Sequence, residues 1–201
     1  MKDNERFYDL LDHPQFWDES IKIYNDSFPE WEKESTSHIY QNIESQRYKM
    51  ISYVVDTKVQ GFYILDINLS LEYVFFTFLA VKEELRSQGI GTKLCKNAID
   101  YFQNMQEAHW LFIEAQERQS RFYGSLGFKK LVLEYLVPSF NSDESIPMHL
   151  MCIQKVRKLQ ADQLTKTIEN IFIFGYSLDE NDPRVQEQLD KIPNKIDLID
   201  W

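Results

Sequence analysis

The stretch best suited to chemistry is "AVKEELRSQGIGTKL", Ala80 to Leu94. The chain has only six glycines, and Gly89 and Gly91 stand one residue apart here, just behind Arg86. An apolar run, "EYVFFTFLAV", leads in, and a helical period follows: Ile90, Leu94, Ala98 and Phe102 share a face, joined by Cys95 and Ile99. A helix that opens in or just after such a loop leaves backbone N–H groups unpaired at its amino end, and its dipole adds partial positive charge there. Glycines let a ligand approach the backbone and make unusual dihedrals cheap. Together these features make an anion site, most naturally for phosphate or pyrophosphate, to which Arg86 can add charge. Two named phosphate loops do not fit. A Walker A loop needs a glycine where Arg86 stands and a lysine directly after Gly91, where Thr92 stands. The dinucleotide fingerprint needs a third glycine where Leu94 stands. On residue types alone, a phosphate cradle and a plain glycine-bearing turn before a helix both stay open.

A resemblance goes further. "LAVKEELRSQGIGTKL" resembles the acyl-CoA signature of the GCN5-related N-acetyltransferases (GNAT): an apolar strand end followed by R-x-x-G-x-G opening a helix, matched at Arg86, Gly89 and Gly91. "RFYGSLGFKK" resembles the family's downstream helix end, at Phe122, Tyr123, Leu126, Gly127 and Phe128. The order of elements agrees as far as Val156, and the segment around "IEAQERQSRFYGSLGF" is similar to an uncharacterised bacterial-type branch.

The resemblance implies acetyl-CoA as acyl donor and no metal. It implies that the backbone of Ser87, Gln88, Gly89, Ile90, Gly91 and Thr92 holds the pyrophosphate, with Arg86 beside it. Main-chain groups of Leu79, Ala80 and Val81 pair with the pantetheine arm, which needs the central strand to part from "HWLFIEA", as a bulge near Thr77 or Phe78 allows. The implied reaction is direct attack of a primary amine on the thioester in a ternary complex. Tyr123 matches the position of the family's frequent general acid, and a core aromatic is its plainer role. Glu72 and Glu114 are the candidate bases, Glu114 the better match by position. Neither Cys95 nor Cys152 sits where a ping-pong nucleophile would. The acceptor is a small-molecule or peptide amine. Phe16, Trp17, Trp31 and Tyr40 lie in helices that commonly border the acceptor site in the family, most of them as core. A non-catalytic CoA-binding sensor or interaction module on the same fold is the alternative.

These residues need elements to hold them. Asp12 is a candidate N-cap, with Pro14 in the first turn of a helix carrying Trp17, Ile21, Tyr24 and Phe28 on one face. "STSHIYQNIESQRY" predicts a second, shorter helix. "KMISYVVDTKVQGFYILDINLS" predicts two strands about a polar turn at Asp56 to Lys58, and "EYVFFTFLAV" a central strand. After the Ile90 helix come the strand "HWLFIEA", a short helix stopped at Gly127, and the strands "LVLEYLV" and "MHLMCIQKV", parted by the polar loop "PSFNSDESIP". The strand–helix–strand unit implies a parallel, right-handed crossover, and the outer strands imply hairpins. The expected fold is therefore α/β (α+β): a GNAT-like mixed, mostly antiparallel central sheet of six to seven strands, with helices on both faces and a splayed central parallel strand pair. Residues 1–156 form the acetyltransferase domain and 157–201 an extension, helical or partly irregular, with Ile196, Leu198 and Trp201 able to tie down its end.

Composition sets outer limits. A chain of 201 residues fits one domain with an appendage. The net charge of −10 argues against a nucleic-acid binder and permits a cationic substrate. Two cysteines make no disulfide framework, and His13, His38, His109 and His149 show no metal spacing. The charged amino terminus lacks a signal-peptide core, and the longest apolar run has nine residues, far below the roughly 20 that span a bilayer. No membrane association and a cytoplasmic location are expected, and a homodimer is compatible with the sequence.

Overall fold

The computed structural model describes residues 4–140 and 142–201. Its contacts divide the chain into two compact units. The first holds the residues up to Pro29 together with Lys33–Ile67 and Val74–Met105; the second holds Glu30–Glu32, Asn68–Tyr73 and Gln106–Trp201.

In the first unit, strands β1 (Arg6–Asp9), β2 (Tyr48–Val55), β3 (Lys58–Asn68) and β4 (Tyr73–Val81) lie side by side in that order. β1 pairs antiparallel with β2, and β2 with β3. The β2–β3 turn is Asp56 and Thr57, both left-handed at φ 47° and 70°, the backbone of a tight primed hairpin turn. Helices α1 (Trp17–Ser27) and α2 (Thr36–Glu44) cover one face, where Tyr24, Ile39 and Ile43 pack on Met50, Phe62, Ile64 and Phe78. Helix α3 (Ile90–Asn104) covers the other: Tyr63, on the opposite side of β3 from Phe62, donates to Asn97 Oδ1 at 2.8 Å. Leu94, Cys95, Ala98 and Phe102 are buried on α3, the stripe the periodicity predicts.

In the second unit, β5 (Trp110–Ala115) pairs antiparallel with β8 (Ser145–Gln154), which also pairs with β6 (Lys129–Leu131) and β7 (Tyr135–Pro138). β9 (Leu198–Ile199) adds to the far edge of β6. Helix α4 (Glu117–Gly124) is followed by a turn in which the Phe128 N–H reaches the Tyr123 carbonyl and the Gly127 N–H reaches Gly124, with Gly127 at φ 98°. That pair of bonds is the Schellman stop, and it demands a left-handed residue at Gly127.

The fold is the mixed, mostly antiparallel α/β arrangement expected, with four differences. There are nine strands among the described residues rather than six to seven. β1 was unforeseen, because its "RFYD" is too short and polar to show a period. "LVLEYLV" makes two strands, since the chain turns through Val132 to Glu134. Asp12 caps nothing: a 3-10 turn at Pro14–Phe16 precedes α1, with His13 at its cap position. The polar loop after Pro138 closes with Ser139 N–H on the Glu144 carbonyl, and its Asn141 lies outside the described residues, as do positions 1–3 of the charged amino terminus.

Residues 157–201 continue the second unit. Helix α5 (Ala161–Asn170) runs into a π-helical turn at Ile171–Gly175, and α6 (Pro183–Leu189) follows, with Asp182 as its cap. The end is tied down by β9, and Trp201 sits against Gly124 of α4. No helix among the described residues is long and apolar enough to cross a membrane.

Candidate active site

The Arg86–Thr92 loop leaves β4 through a single 3-10 turn, Glu83–Leu85, and enters α3 with Gly89 at the cap position. Gly89 is left-handed, at φ 81° and ψ 0°, and a Cβ there would meet nothing within 4 Å. Ser87 is left-handed too, at φ 63°. No side chain caps α3, and the first helical bond is Lys93 N–H to the Gly89 carbonyl at 3.1 Å. Among the described residues, no acceptor takes the N–H groups of Ser87 through Thr92, and residues 86–89 are exposed. Six consecutive amides without a protein acceptor, at the positive end of a 15-residue helix, are chemically suited to an anion. Arg86 folds back: its Nε donates to the Val81 carbonyl at 3.3 Å and its Nη2 to Ser27 Oγ at 3.4 Å. Its charge is thus held at the end of β4. Ala80 is buried, and Leu79 and Val81 are partly accessible on either side of it.

Within the second unit, Glu114 stands near the end of β5, its carboxyl under two tyrosine hydroxyls. Tyr135 donates to Oε1 at 2.6 Å and Tyr176 to Oε2 at 2.5 Å. Burial pushes this carboxyl up to about 7, and the two hydrogen bonds pull against that rise. Tyr123 lies on α4, 8% exposed, its ring 5.1 Å from Phe122 and 5.7 Å from Phe128. The third candidate, Glu72, sits left-handed at φ 56° in the turn before β4. Arg157 Nη1 reaches its Oε2 at 2.5 Å, His109 Nε2 lies 3.8 Å from Oε1, and its carbonyl accepts from the His109 N–H. Glu72 is therefore ion-paired with Arg157, with the His109 ring beside it.

Three of the four histidines follow one pattern: His38, His109 and His149 each lie beside a glutamate, respectively Glu34, Glu72 and Glu117. No group of three or more His, Cys, Asp or Glu residues suited to a metal occurs among the described residues. Both cysteines are buried, and burial pushes Cys95 up to about 12 and Cys152 higher still. Of the aromatics, Phe16 packs on Tyr8, while Trp17 meets the exposed Tyr40 edge-on at 5.2 Å. Trp31 belongs to the second unit, where its carbonyl accepts from the Phe140 N–H.

Three groups escaped the sequence reading. Tyr135 and Tyr176 lie 21 and 62 residues from Glu114, and no spacing announces them. Glu34 is 4% exposed and pushed up to about 8, chiefly by burial. Tyr48 donates to its Oε2 at 3.1 Å, and His38 Nδ1 lies 2.5 Å from Oε1, close but out of line for a hydrogen bond. Its four-residue spacing from His38 was the one clue available.

A family model for the acetyltransferase (GNAT) domain matches residues 18–148. The chain belongs to the GNAT family, and its class is that of an N-acetyltransferase. Among solved structures, it is similar to a presumed GNAT-family acetyltransferase from Bacteroides thetaiotaomicron, with 18% identity, a TM-score of 0.71, and 87% of this chain and 99% of that one covered. A GNAT family acetyltransferase from Elizabethkingia anophelis with acetyl-CoA bound shares 20% identity over 77% of this chain and 100% of its own, with a TM-score of 0.54. The ribosomal-protein-S18-alanine N-acetyltransferase of Escherichia coli shares 19% over 77% and 96%, with a TM-score of 0.56. At these identities the likeness establishes the fold. Comparison with the curated proteins found no match.

Proposed function

We propose that the protein transfers an acetyl group from acetyl-CoA to a primary amine of a small molecule or peptide, by direct attack in a ternary complex. The observation that carries this is the run of six acceptorless amides at the α3 amino end, built around a left-handed Gly89 with open space beside it. Family membership over residues 18–148 supports reading that anion as the pyrophosphate of CoA. We assign the pyrophosphate to Ser87–Thr92 and the pantetheine to the main chain of Leu79, Ala80 and Val81. Residues 1–156 are the catalytic domain in this reading, and 157–201 an extension of it.

Bound acetyl-CoA supplies a thioester, whose C–S bond breaks as the amine nitrogen forms its bond to the acetyl carbon. The chain's residues handle the protons. A lysine-like amine is charged at pH 7, and neutralising it costs on the order of 4 kcal/mol. Glu114, held at about 7, is poised to accept that proton near neutral pH, directly or through water. Glu72 is the weaker candidate, because Arg157 already occupies its carboxylate. The Tyr123 hydroxyl gives a proton to the departing sulfur, and the proton that the nitrogen sheds on becoming an amide replaces it through solvent. Burial leaves Cys95 and Cys152 protonated, so an acetyl-cysteine intermediate has no thiolate to form it.

The deciding experiment offers acetyl-CoA and a panel of amines (spermidine, free amino acids, a lysine peptide, an alanine-initiated peptide) and follows thiol release. Turnover on one amine class is expected. Thermal stabilisation by CoA with no turnover on any amine would favour a binding module instead. No stabilisation at all would remove the cradle.

A further inference from the structure

We propose that Tyr176, in the extension, is a positioning residue for the base: its hydroxyl holds the Glu114 carboxyl in the orientation that accepts the amine proton. The inference rests on the reading of Glu114 as base. It gives residues 157–201 a part in the chemistry, although the family match ends at 148.

The placement of Tyr176 is built by the backbone. Helix α5 ends in a π-helical turn whose Ile171 and Phe172 are fully buried. The Tyr176 N–H closes that turn on the Ile171 carbonyl, five residues back, at 3.1 Å. Such a turn inserts a residue into the helical register and re-aims the side chain that follows it. Ser177, left-handed at φ 55°, then bends the chain away, and the Leu178 N–H returns to the Phe172 carbonyl. The Tyr176 ring is pinned by Phe140, with centroids 4.8 Å apart, and by Phe172 at 6.0 Å.

The same extension steadies the other donor. Gln188 of α6, 2% exposed, accepts from the Leu136 N–H at 2.8 Å and donates to the Glu134 carbonyl at 3.0 Å. Leu136 lies opposite Pro147 of β8, and its N–H takes a partner from the extension rather than from the sheet. Gln188 is that partner, and Tyr135 is the residue between its two bonds. The extension thus reaches both oxygens of Glu114: Oε2 through Tyr176 directly, and Oε1 through the strand that carries Tyr135.

Two phenols that both donate favour the ionised state. An ionised carboxyl accepts from each and keeps lone pairs for the amine proton; a protonated one is the weaker acceptor, so each bond stabilises it less. The titratable groups bearing on Glu114 are Tyr135 and Tyr176 directly, and Tyr73 through Tyr135, while its β8 partner Leu150 is apolar. Removing the Tyr176 hydroxyl therefore favours the protonated state and moves the Glu114 midpoint upward from about 7.

The test is a carboxyl-carbon NMR titration of glutamate-labelled full chain, with the Glu114 resonance identified by its loss in Glu114→Gln. Tyr176→Phe is expected to raise the midpoint by about half to one pH unit, with melting temperature and CoA affinity little changed. An unmoved midpoint in the folded variant overturns the inference. If Tyr176→Phe does not fold, 3-fluorotyrosine at position 176, a stronger donor of nearly the same shape, carries the test with the opposite sign, and an unmoved midpoint there overturns it equally. The acid limb of the turnover profile should shift with the carboxyl midpoint. A midpoint that moves while the wild-type limb never coincides with it defeats the reading of Glu114 as base, and so separates that failure from failure of the Tyr176 contact.

Discussion

At the amino end of α3, six backbone amides have no acceptor among the described residues, and residues 86–89 are exposed. Near the end of β5, one part-buried carboxyl has a donor on each of its oxygens. The first region is main chain awaiting an anion from outside; the second is side chain satisfied from within. The difference suits the two tasks proposed for them. A cradle for phosphate needs unpaid N–H groups, and a helix terminus provides them without any particular side chain. A base working near neutrality needs its proton affinity set by burial and by chosen donors, and those must be brought from elsewhere in the fold.

The largest expected effect strikes the first region alone. Gly89→Val puts a branched side chain on a left-handed backbone, where it points into the space beside the amides. CoA binding should fall at least 100-fold by calorimetry, a loss of about 2.7 kcal/mol or more. Wild-type affinity in that variant would end the cradle. Glu114→Gln should do the reverse: kcat should drop about 100-fold while CoA affinity holds. If it weakens CoA binding as well, the two regions are not independent. Tyr123→Phe comes next, with a fall in kcat of about tenfold and an unchanged KM for acetyl-CoA. An unchanged kcat where chemistry limits turnover would leave Tyr123 as core.

The smallest effect concerns a second buried carboxyl, in the unit that carries the cradle. Glu34 is raised to about 8, so its contribution to stability is complete below its ordinary range and is lost as pH rises through about 8. Glu34→Gln should match the wild type near pH 4. Above pH 8 it should gain roughly 3–5 kcal/mol relative to it, as burial of the charge is removed. Chemical denaturation across pH reads this directly, and parallel pH curves for the two proteins would refute it. Turnover at pH 7 should hardly change, which would mark Glu34 as a structural counterpart to Glu114 rather than a second base.

Much of the scaffold was legible because local patterns carry it. The α3 stripe of Leu94, Cys95, Ala98 and Phe102 appears where the period puts it, and Gly127 ends α4 by the bond pattern that a glycine stop implies. Elements without a pattern were missed: β1 is four residues long, and the split of "LVLEYLV" turns on three residues between strands. Asp12 read as a cap because its type suits one, but the backbone opened a 3-10 turn at Pro14 first.

By itself, then, the sequence determined the family, the order of elements and the glycine loop, because a helix terminus and a left-handed turn are written in adjacent residues. Only the tertiary structure decided what surrounds Glu114 and Glu72. It gave Glu72 to Arg157, and it brought Tyr135 and Tyr176 onto Glu114 from 21 and 62 residues away. The state of a buried carboxyl depends on what lies within a few ångströms in space, and neighbours at such separations leave no period along the chain.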